Sequence, residues 1–253
     1  MPAVTLPGGL QVEWGQAAVI AILAVLAAWE CVKIVTMRGR VELAAGEVVK
    51  EVAVVAVVAY ALGQLSGLVS APGSPQSVIG ALEGVRENAY CRLVNFANCI
   101  ANIKLSGPLG AYAPLADAKF SKYRAVYEQA LNLYTMLSGL ARLLAEYGPY
   151  VLSAALAAYA AWIRRVGGPV IGVVLALWVG LAVLAGSVQG LGLQQCSKAE
   201  YYPVQAVLAH CDDQLANAYA SDYEAWQRAV SHAWLYLIAA PAVGGALGWL
   251  LAL

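Results

Sequence analysis

The sequence predicts an all-α, polytopic membrane protein with about five transmembrane helices and an extracytoplasmic helical bundle. Apolar residues make up 61% of the 253 residues and charged residues only 12%, with a mean hydropathy of +0.68. A soluble domain carries roughly 25% charged residues, so this composition favours a membrane protein. Apolar stretches long enough, or nearly long enough, to cross a bilayer are interrupted by two long polar segments, 71–146 and 191–232, which hold four of the five cysteines.

The candidate spans can be placed by length, because a spanning helix needs about 20 mostly apolar residues, within a range of roughly 17 to 25. They are 17–37, 52–70, 147–163, 169–190 and 233–253. The third begins at a predicted hinge or kink, Gly148-Pro149, and Pro241 is expected to kink the fifth because proline removes a helical hydrogen bond. The chain is interpreted as one integrated membrane domain with five parts: 1–70 with the first two spans, an outer hairpin at 71–146, spans at 147–190, an outer segment at 191–232 and the last span at 233–253.

The orientation follows from basic residues in short loops, which stay on the cytoplasmic side. Segment 38–50 contains Arg38, Arg40 and Lys50, and the short connection after the third span contains Arg164 and Arg165. Both connections are therefore expected in the cytoplasm. This predicts a cell-membrane protein with its N-terminus and both long segments outside and its C-terminus in the cytoplasm.

Apolar residues at spacings of three and four predict helices in both long segments. In 123–147 they form a heptad pattern of Tyr123, Val126, Ala130, Leu133, Leu137, Leu140, Leu144 and Tyr147. The stripe in 77–104 is Val78, Leu82, Val85, Ala89, Leu93, Phe96, Ile100 and Ile103. Turn-forming residues at 106–114 predict an antiparallel hairpin, and 204–232 predicts a further helix leading into the last span. We interpret the stripes as packing between helices; a partner-binding or pore-lining face is the alternative.

Four cysteines lie in the predicted outer segments: Cys91, Cys99, Cys196 and Cys211. Disulfides are expected there, since oxidising surroundings favour them. A helix over 77–104 separates Cys91 from Cys99 by about 12 Å, too far for a disulfide, which needs Cα atoms within about 7 Å. Measured along the predicted helices, Cys99 and Cys211 both lie about 33–36 Å from the ends of the spans, which favours a bond between them. Cys91 is then left to pair with Cys196.

Two alternatives remain open for these cysteines. They are free or buried thiols, or they form a metal site with the nearby His210. The metal site is disfavoured because the chain has no Cys-x-x-Cys spacing.

Four polar residues fall within or at the ends of the predicted spans. Glu30 and Lys33, three residues apart in the first span, are expected to pair on one helix face. A transport or proton-transfer function and a contact between subunits are the alternatives, since charges within spans often mark pathways. Gln64 and Gln189 are candidates for hydrogen bonds between helices or for the lining of a wet cavity.

Small-residue spacing suggests where helices approach closely. Four G-x-x-x-G pairs occur in three of the spans or at their ends: Gly63 and Gly67, Gly168 and Gly172, Gly186 and Gly190, and Gly244 and Gly248. Such pairs let two helix backbones come together. They predict a tightly packed bundle or an oligomer. The alternative is that a chain rich in glycine contains some pairs at this spacing by chance, with no close helix contact.

Signatures of catalysis are missing from the sequence. It has no P-loop, no G-x-S-x-G, no H-E-x-x-H and only two histidines. We therefore predict a protein that is not an enzyme, with no catalytic, cofactor-binding or metal-binding residues and no cofactor. The net charge of zero also gives no bulk attraction to nucleic acid.

The order of these features resembles the polytopic membrane subunit of the crenarchaeal DNA-import (Ced- or Ted-type) machinery, which is itself similar to the channel subunit of type IV secretion systems. The resemblance covers most of the chain: the first two spans, the Cys91/Cys99 segment, the spans flanking Arg164-Arg165, the Cys196/Cys211 segment and the terminal span. It implies translocation of DNA, as single strands, beside an ATPase and small pilin-like proteins. The composition also suits a hyperthermophilic archaeon, in which disulfides are common.

A channel or translocation-complex subunit is thus the first hypothesis for the function. The second is a structural or surface-interaction membrane protein, and the third is a small-solute transporter. Transporters usually contain inverted repeats or broken helices, whereas only Gly168-Pro169 and Pro241 interrupt these spans. The expected partners are the lipid bilayer and either copies of the chain or other membrane subunits.

Overall fold

A computed structural model describes residues 3–5 and 11–13, most of 53–61, and then 74–105, 107–160, 164–196 and 215–252. Apart from one antiparallel ribbon, every element among these residues is helical, so the predicted all-α class is confirmed for them. The elements are β1 (Ala3–Thr5), β2 (Gln11–Glu13), α1 (Pro75–Leu105), a 3₁₀ turn (Gly107–Tyr112), α2 (Ala113–Ala160), α3 (Arg164–Gln189), α4 (Leu215–Ser221) and α5 (Tyr223–Ala252). In the ribbon, Val4 pairs with Val12.

The predicted hairpin is present. Helix α1 begins at Pro75, where a proline suits the first helical position because its missing N–H needs no partner there. The helix ends at Leu105, and Gly107 follows with a φ of 67°, a left-handed conformation that glycine adopts without strain. The 3₁₀ turn then leads directly into α2, which includes the whole predicted stripe at 123–147.

The prolines do not end the long helices. Helix α2 continues through Pro149, α3 through Pro169 and α5 through Pro241. The helix of the predicted outer hairpin thus runs directly into the third predicted span, and the kinks expected at Gly148-Pro149 and Pro241 remain predictions. Proline removes one backbone donor, and the remaining hydrogen bonds of a 48-residue helix carry α2 past that point.

The chain forms two compact units. Unit 1 comprises Met1–Ser77, Leu140–Leu181 and Ile238–Leu253, and unit 2 comprises Val78–Gly139 and Ala182–Leu237. Unit 2 thus contains most of both predicted outer segments, and unit 1 contains parts of the predicted spans. Within unit 2, the buried face of α2 includes Tyr127, Ala130, Tyr134 and Leu137, each with 0% of its surface exposed.

Two helices among the described residues are long and apolar enough to cross a membrane. They are Val166–Gln189, with a mean hydropathy of 2.4, and Tyr223–Leu251, with a mean hydropathy of 1.6. They correspond to the predicted fourth and fifth spans. Only 22% of the most apolar part of α5 is buried within the chain, whereas the core helix of a soluble protein buries its apolar face.

The described residues therefore support two of the five predicted spans. The third predicted span, 147–163, overlaps the last part of α2, which is described as far as Ala160 and is not one of these two helices. The first span and much of the second lie outside the described residues. Within the second span, the described residues of 53–61 are helical, and Val54, Val58 and Ala61 are buried.

Candidate functional site

The buried stripe of α1 includes an arginine. Eight of its buried residues follow a strict alternation of four and three: Val78, Leu82, Val85, Ala89, Arg92, Phe96, Cys99 and Ile103. The predicted stripe was correct at six of these positions, but it placed Leu93 and Ile100 where the structure buries Arg92 and Cys99. The Arg92 residue is only 2% exposed, so its charge needs compensation inside unit 2.

Asp222, between α4 and α5, supplies the opposite charge. Arg92 Nη2 lies 2.6 Å from Asp222 Oδ2, and Nη1 lies 2.9 Å from Oδ1. This is the bidentate arrangement that matches a guanidinium to a carboxylate. Asp222 Oδ2 also accepts a hydrogen bond of 3.3 Å from Trp226 Nε1, which fixes the carboxylate from a second side.

Aromatic rings enclose the ion pair. The guanidinium carbon of Arg92 lies 4.8 Å from the ring centre of Tyr219 and 5.3 Å from those of Tyr127 and Trp226. Tyr127 and Trp226 meet edge to face at 5.0 Å, and Phe96 packs against Tyr219 at 4.8 Å. Ring faces attract a cation and exclude water, so they strengthen the pair that they surround.

All the donors of Arg92 are used. A guanidinium has five N–H donors. Besides the two bonds to Asp222, Nη1 donates to the Tyr127 hydroxyl at 3.0 Å, Nη2 to the Gln194 carbonyl at 2.9 Å and Nε to Asn88 Oδ1 at 3.5 Å. No donor remains for a substrate, so this cluster holds four chain segments together and does not form an open reaction site.

A disulfide lies beside the cluster. Cys91 is bonded to Cys196 with a Cα–Cα distance of 6.1 Å, so this predicted pairing is confirmed. Asn88 supports the same segment, since its amide donates to the Gln194 carbonyl at 2.9 Å and its oxygen accepts from the Cys196 backbone N–H at 3.1 Å. The predicted Cys99–Cys211 pair remains a prediction, because Cys211 lies outside the described residues. Cys99 itself is buried in unit 2.

A glycine contact joins α3 and α5 within unit 1. A Cβ added to Gly172 would lie 2.4 Å from the backbone nitrogen of Gly248, and one added to Gly248 would lie 2.4 Å from the Cα of Pro169. Gly244 meets the backbone of Val173 in the same way, at 2.8 Å. These three glycines thus stand where the helix backbones approach so closely that no side chain fits.

The other predicted packing glycines behave differently. A Cβ at Gly186 would meet nothing within 4 Å. A Cβ at Gly190 would meet the carbonyl oxygens of Ser187 and Gly186, which belong to the last turn of α3 just before it. This pair therefore makes no close approach to another helix among the described residues, and its contact with a second copy of the chain remains a prediction. Gly168 is buried, and Gly63 and Gly67 lie outside the described residues. A further glycine, Gly167, does mark a close approach, because a Cβ added to it would lie 2.5 Å from the Ala155 carbonyl oxygen.

Most of the polar residues predicted within the spans lie outside the described residues. Glu30, Lys33 and Gln64 lie outside the described residues, as does His210. Gln189 is the last residue of α3 and is exposed. In the described ranges, no group of three or more His, Cys, Asp or Glu side chains is arranged to hold a metal ion.

The aromatic residues of unit 2 give it a pH dependence. Burial raises the pKa of Tyr127, Tyr134 and Tyr219 above the ordinary tyrosine range, because the charged phenolate loses its hydration. The folded state therefore disfavours the phenolate form. This contribution to stability is complete below the unfolded pKa of about 10 and is lost as the pH rises towards the higher folded values.

We therefore expect the melting temperature of unit 2 to fall steeply once the pH exceeds about 10. Circular dichroism together with tyrosinate absorbance across pH 8–12 measures this. Tyr134→Phe removes one buried phenol, at the expense of its 3.0 Å bond to the Ala229 carbonyl, and should make the fall shallower. An equally steep fall in that variant would contradict the assignment.

Sequence reasoning missed Arg92 and Asp222, although two signals pointed to them. Position 92 continues the spacing of 85, 89, 96 and 99, and Asp222 stands three residues after Tyr219 and four before Trp226, the spacing of neighbours on a helix. The arginine–aspartate cluster and its disulfide are thus the most specific polar arrangement that the described residues form. No protein-family model, no curated protein and no solved structure matches this chain.

Proposed function

We propose that the chain is an integral membrane subunit of a translocation complex, in which apolar helices anchor unit 2 and this unit docks on other subunits. The observation that carries the proposal is the exposed apolar surface of α5. Ile238, Trp249 and Leu250 are 69%, 64% and 56% exposed within the isolated chain. Such a surface is stable against lipid or against another transmembrane helix.

The rigidity of unit 2 supports a docking function. The Cys91–Cys196 disulfide and the Arg92–Asp222 pair hold α1, the segment after α3 and the junction of α4 and α5 in one arrangement. A pre-organised surface loses less conformational entropy when a partner binds. The disulfide also favours an extracytoplasmic position for unit 2, which forms part of the proposal.

In its most specific form, the proposal is that the complex imports DNA, as the resemblance of the feature order implies. The chain would be a passive component, since its sequence contains no P-loop, and an ATPase subunit would supply the energy. The alternatives of a structural membrane protein and a small-solute transporter predict different outcomes in the experiments below.

The first experiment asks whether unit 2 holds the chain in an assembly. Native membranes are extracted with mild detergent and separated on native gels, where the 26.5 kDa chain should run in a much larger complex. Leu137→Asp should remove it from that complex, because Leu137 is 0% exposed and a buried unpaired charge costs several kcal/mol, roughly 3 or more. Asn132→Asp, which adds the same charge at an exposed position of α2, is the control and should leave the complex intact.

The second experiment separates the function classes. A strain lacking the chain should fail to take up labelled DNA, and the wild-type chain, but not Leu137→Asp, should restore uptake. Normal uptake without the chain would contradict the DNA-import form and favour a structural protein. Solute transport by the purified chain alone in liposomes would overturn the passive-subunit proposal and favour a transporter.

A further inference from the structure

An open groove gives access to the disulfide in unit 2. It has a volume of about 700 Å³ and lies between α1 and the segment that follows α3. Both sulfur-bearing residues line it, together with Glu87, Tyr90, Leu193 and Gln195. A cavity of this size accepts small molecules, and both cysteines are only half-buried. A small thiol in solution therefore has a path to the sulfur atoms.

The two sulfur atoms have different surroundings. The side-chain amide of Asn95 donates a hydrogen bond to Cys196 Sγ at 3.3 Å. Among the described residues, Cys91 Sγ has no corresponding donor. A donor stabilises negative charge on a sulfur atom, and the sulfur that carries this charge more easily is the better leaving group in thiol–disulfide exchange.

We propose that the Cys91–Cys196 bond is a site of thiol–disulfide exchange, in which an external thiolate attacks Cys91 Sγ and Cys196 leaves as the thiolate. The new bond joins the external sulfur to Cys91, and the electron pair of the broken S–S bond stays on Cys196 Sγ. A second external thiolate then attacks the external sulfur of this mixed disulfide. The external disulfide leaves, Cys91 is released as a thiolate, and the protein has gained two electrons from two thiols.

The exchange acts on the ion-pair cluster. The disulfide holds the segment after α3, from which the Gln194 carbonyl accepts hydrogen bonds from Arg92 and Asn88. Once the bond is broken, the segment loses its covalent link to α1, and the hydrogen bonds to Arg92, Asn88 and Asn95 remain to hold it. Reduction thus loosens the cover of Arg92 and makes unit 2 sensitive to the thiol content of its surroundings.

The test uses the full chain in detergent micelles, with reduced glutathione as the thiol. The reaction is stopped with N-ethylmaleimide during reduction, and the peptides are mapped by mass spectrometry. We expect glutathione on Cys91 and N-ethylmaleimide on Cys196. Glutathione on Cys196, or a disulfide that is reduced only after denaturation, would overturn the proposal.

A variant pair tests the asymmetry. Asn95→Leu should slow reduction roughly tenfold, because the Cys196 thiolate loses a hydrogen bond that a charged acceptor makes strong. Asn98→Leu, at an exposed position of the same helix, should be reduced at the wild-type rate. Equal rates for both variants would show that Asn95 does not activate the bond. If Asn95→Leu fails to fold by circular dichroism, the peptide mapping of the wild-type chain decides the question by itself.

Discussion

Replacing Arg92 with methionine should lower the free energy of unfolding of unit 2 by about 3–5 kcal/mol. The change leaves Asp222 as a buried carboxylate, 6% exposed, without the cation that compensates it. The Gln194 carbonyl and the Tyr127 hydroxyl lose a donor at the same time. Urea denaturation in detergent, followed by circular dichroism, measures the change through the shift of the midpoint.

The double variant Arg92→Met/Asp222→Leu makes this expectation specific to the charge. Replacing both partners of a buried ion pair by apolar residues removes the uncompensated charge, so the double variant should be more stable than either single variant. Arg124→Met is the surface control, since Arg124 pairs with Glu128 at 2.8 Å but is about half exposed. It should cost less than about 1 kcal/mol. Additive losses in the double variant would show that the two side chains act independently.

The helices of unit 2 were predictable because local signals agree there. Pro75, the left-handed Gly107 and two unbroken apolar stripes define α1 and the start of α2 without reference to the rest of the fold. Helix length excluded a Cys91–Cys99 bridge, because residues eight positions apart on one helix cannot be bridged, and the heights of the cysteines along the helices then favoured Cys91–Cys196 over Cys91–Cys211.

The buried arginine was not predicted, because a charged residue in an amphipathic pattern is normally placed on the solvent face. The predicted stripe accordingly contains Leu93 and not Arg92. The partners that allow Arg92 to be buried, Tyr127 and Asp222, are 35 and 130 residues away in the sequence. Local periodicity holds no information on such distant contacts, so only the spacing marked the position.

The glycine pairs show a related difference. Gly244 and Gly248 meet a neighbouring helix, whereas Gly186, in the same G-x-x-x-G spacing, faces open space within the chain. The spacing indicates that a helix can approach, and the tertiary fold decides whether one does. The prolines are a parallel case: the sequence marks a missing donor, and the hydrogen-bonded helix on both sides allows α2, α3 and α5 to continue through it.

Replacing Gly248 with alanine should destabilise the packing of α3 against α5 in unit 1 by about 1–3 kcal/mol or more. The new methyl carbon would lie 2.4 Å from the Cα of Pro169 and 3.1 Å from its carbonyl oxygen. Both are backbone atoms that cannot rotate away, so the helices must separate. Separation removes the close contact at Gly172 and Gly244 as well, because the same approach brings all three glycines together.

The matched control is Gly245→Ala, one residue after Gly244 on the same helix, where a Cβ would meet nothing within 4 Å. Alanine has a higher helix propensity than glycine, by up to about 1 kcal/mol, so this variant should be as stable as the wild type or slightly more stable. Thermal unfolding in the same detergent measures both variants. An equal loss of stability in the two variants would mean that glycine acts through the flexibility of α5. A loss confined to Gly248→Ala would show that the G-x-x-x-G spacing of this helix preserves the close approach of two helix backbones.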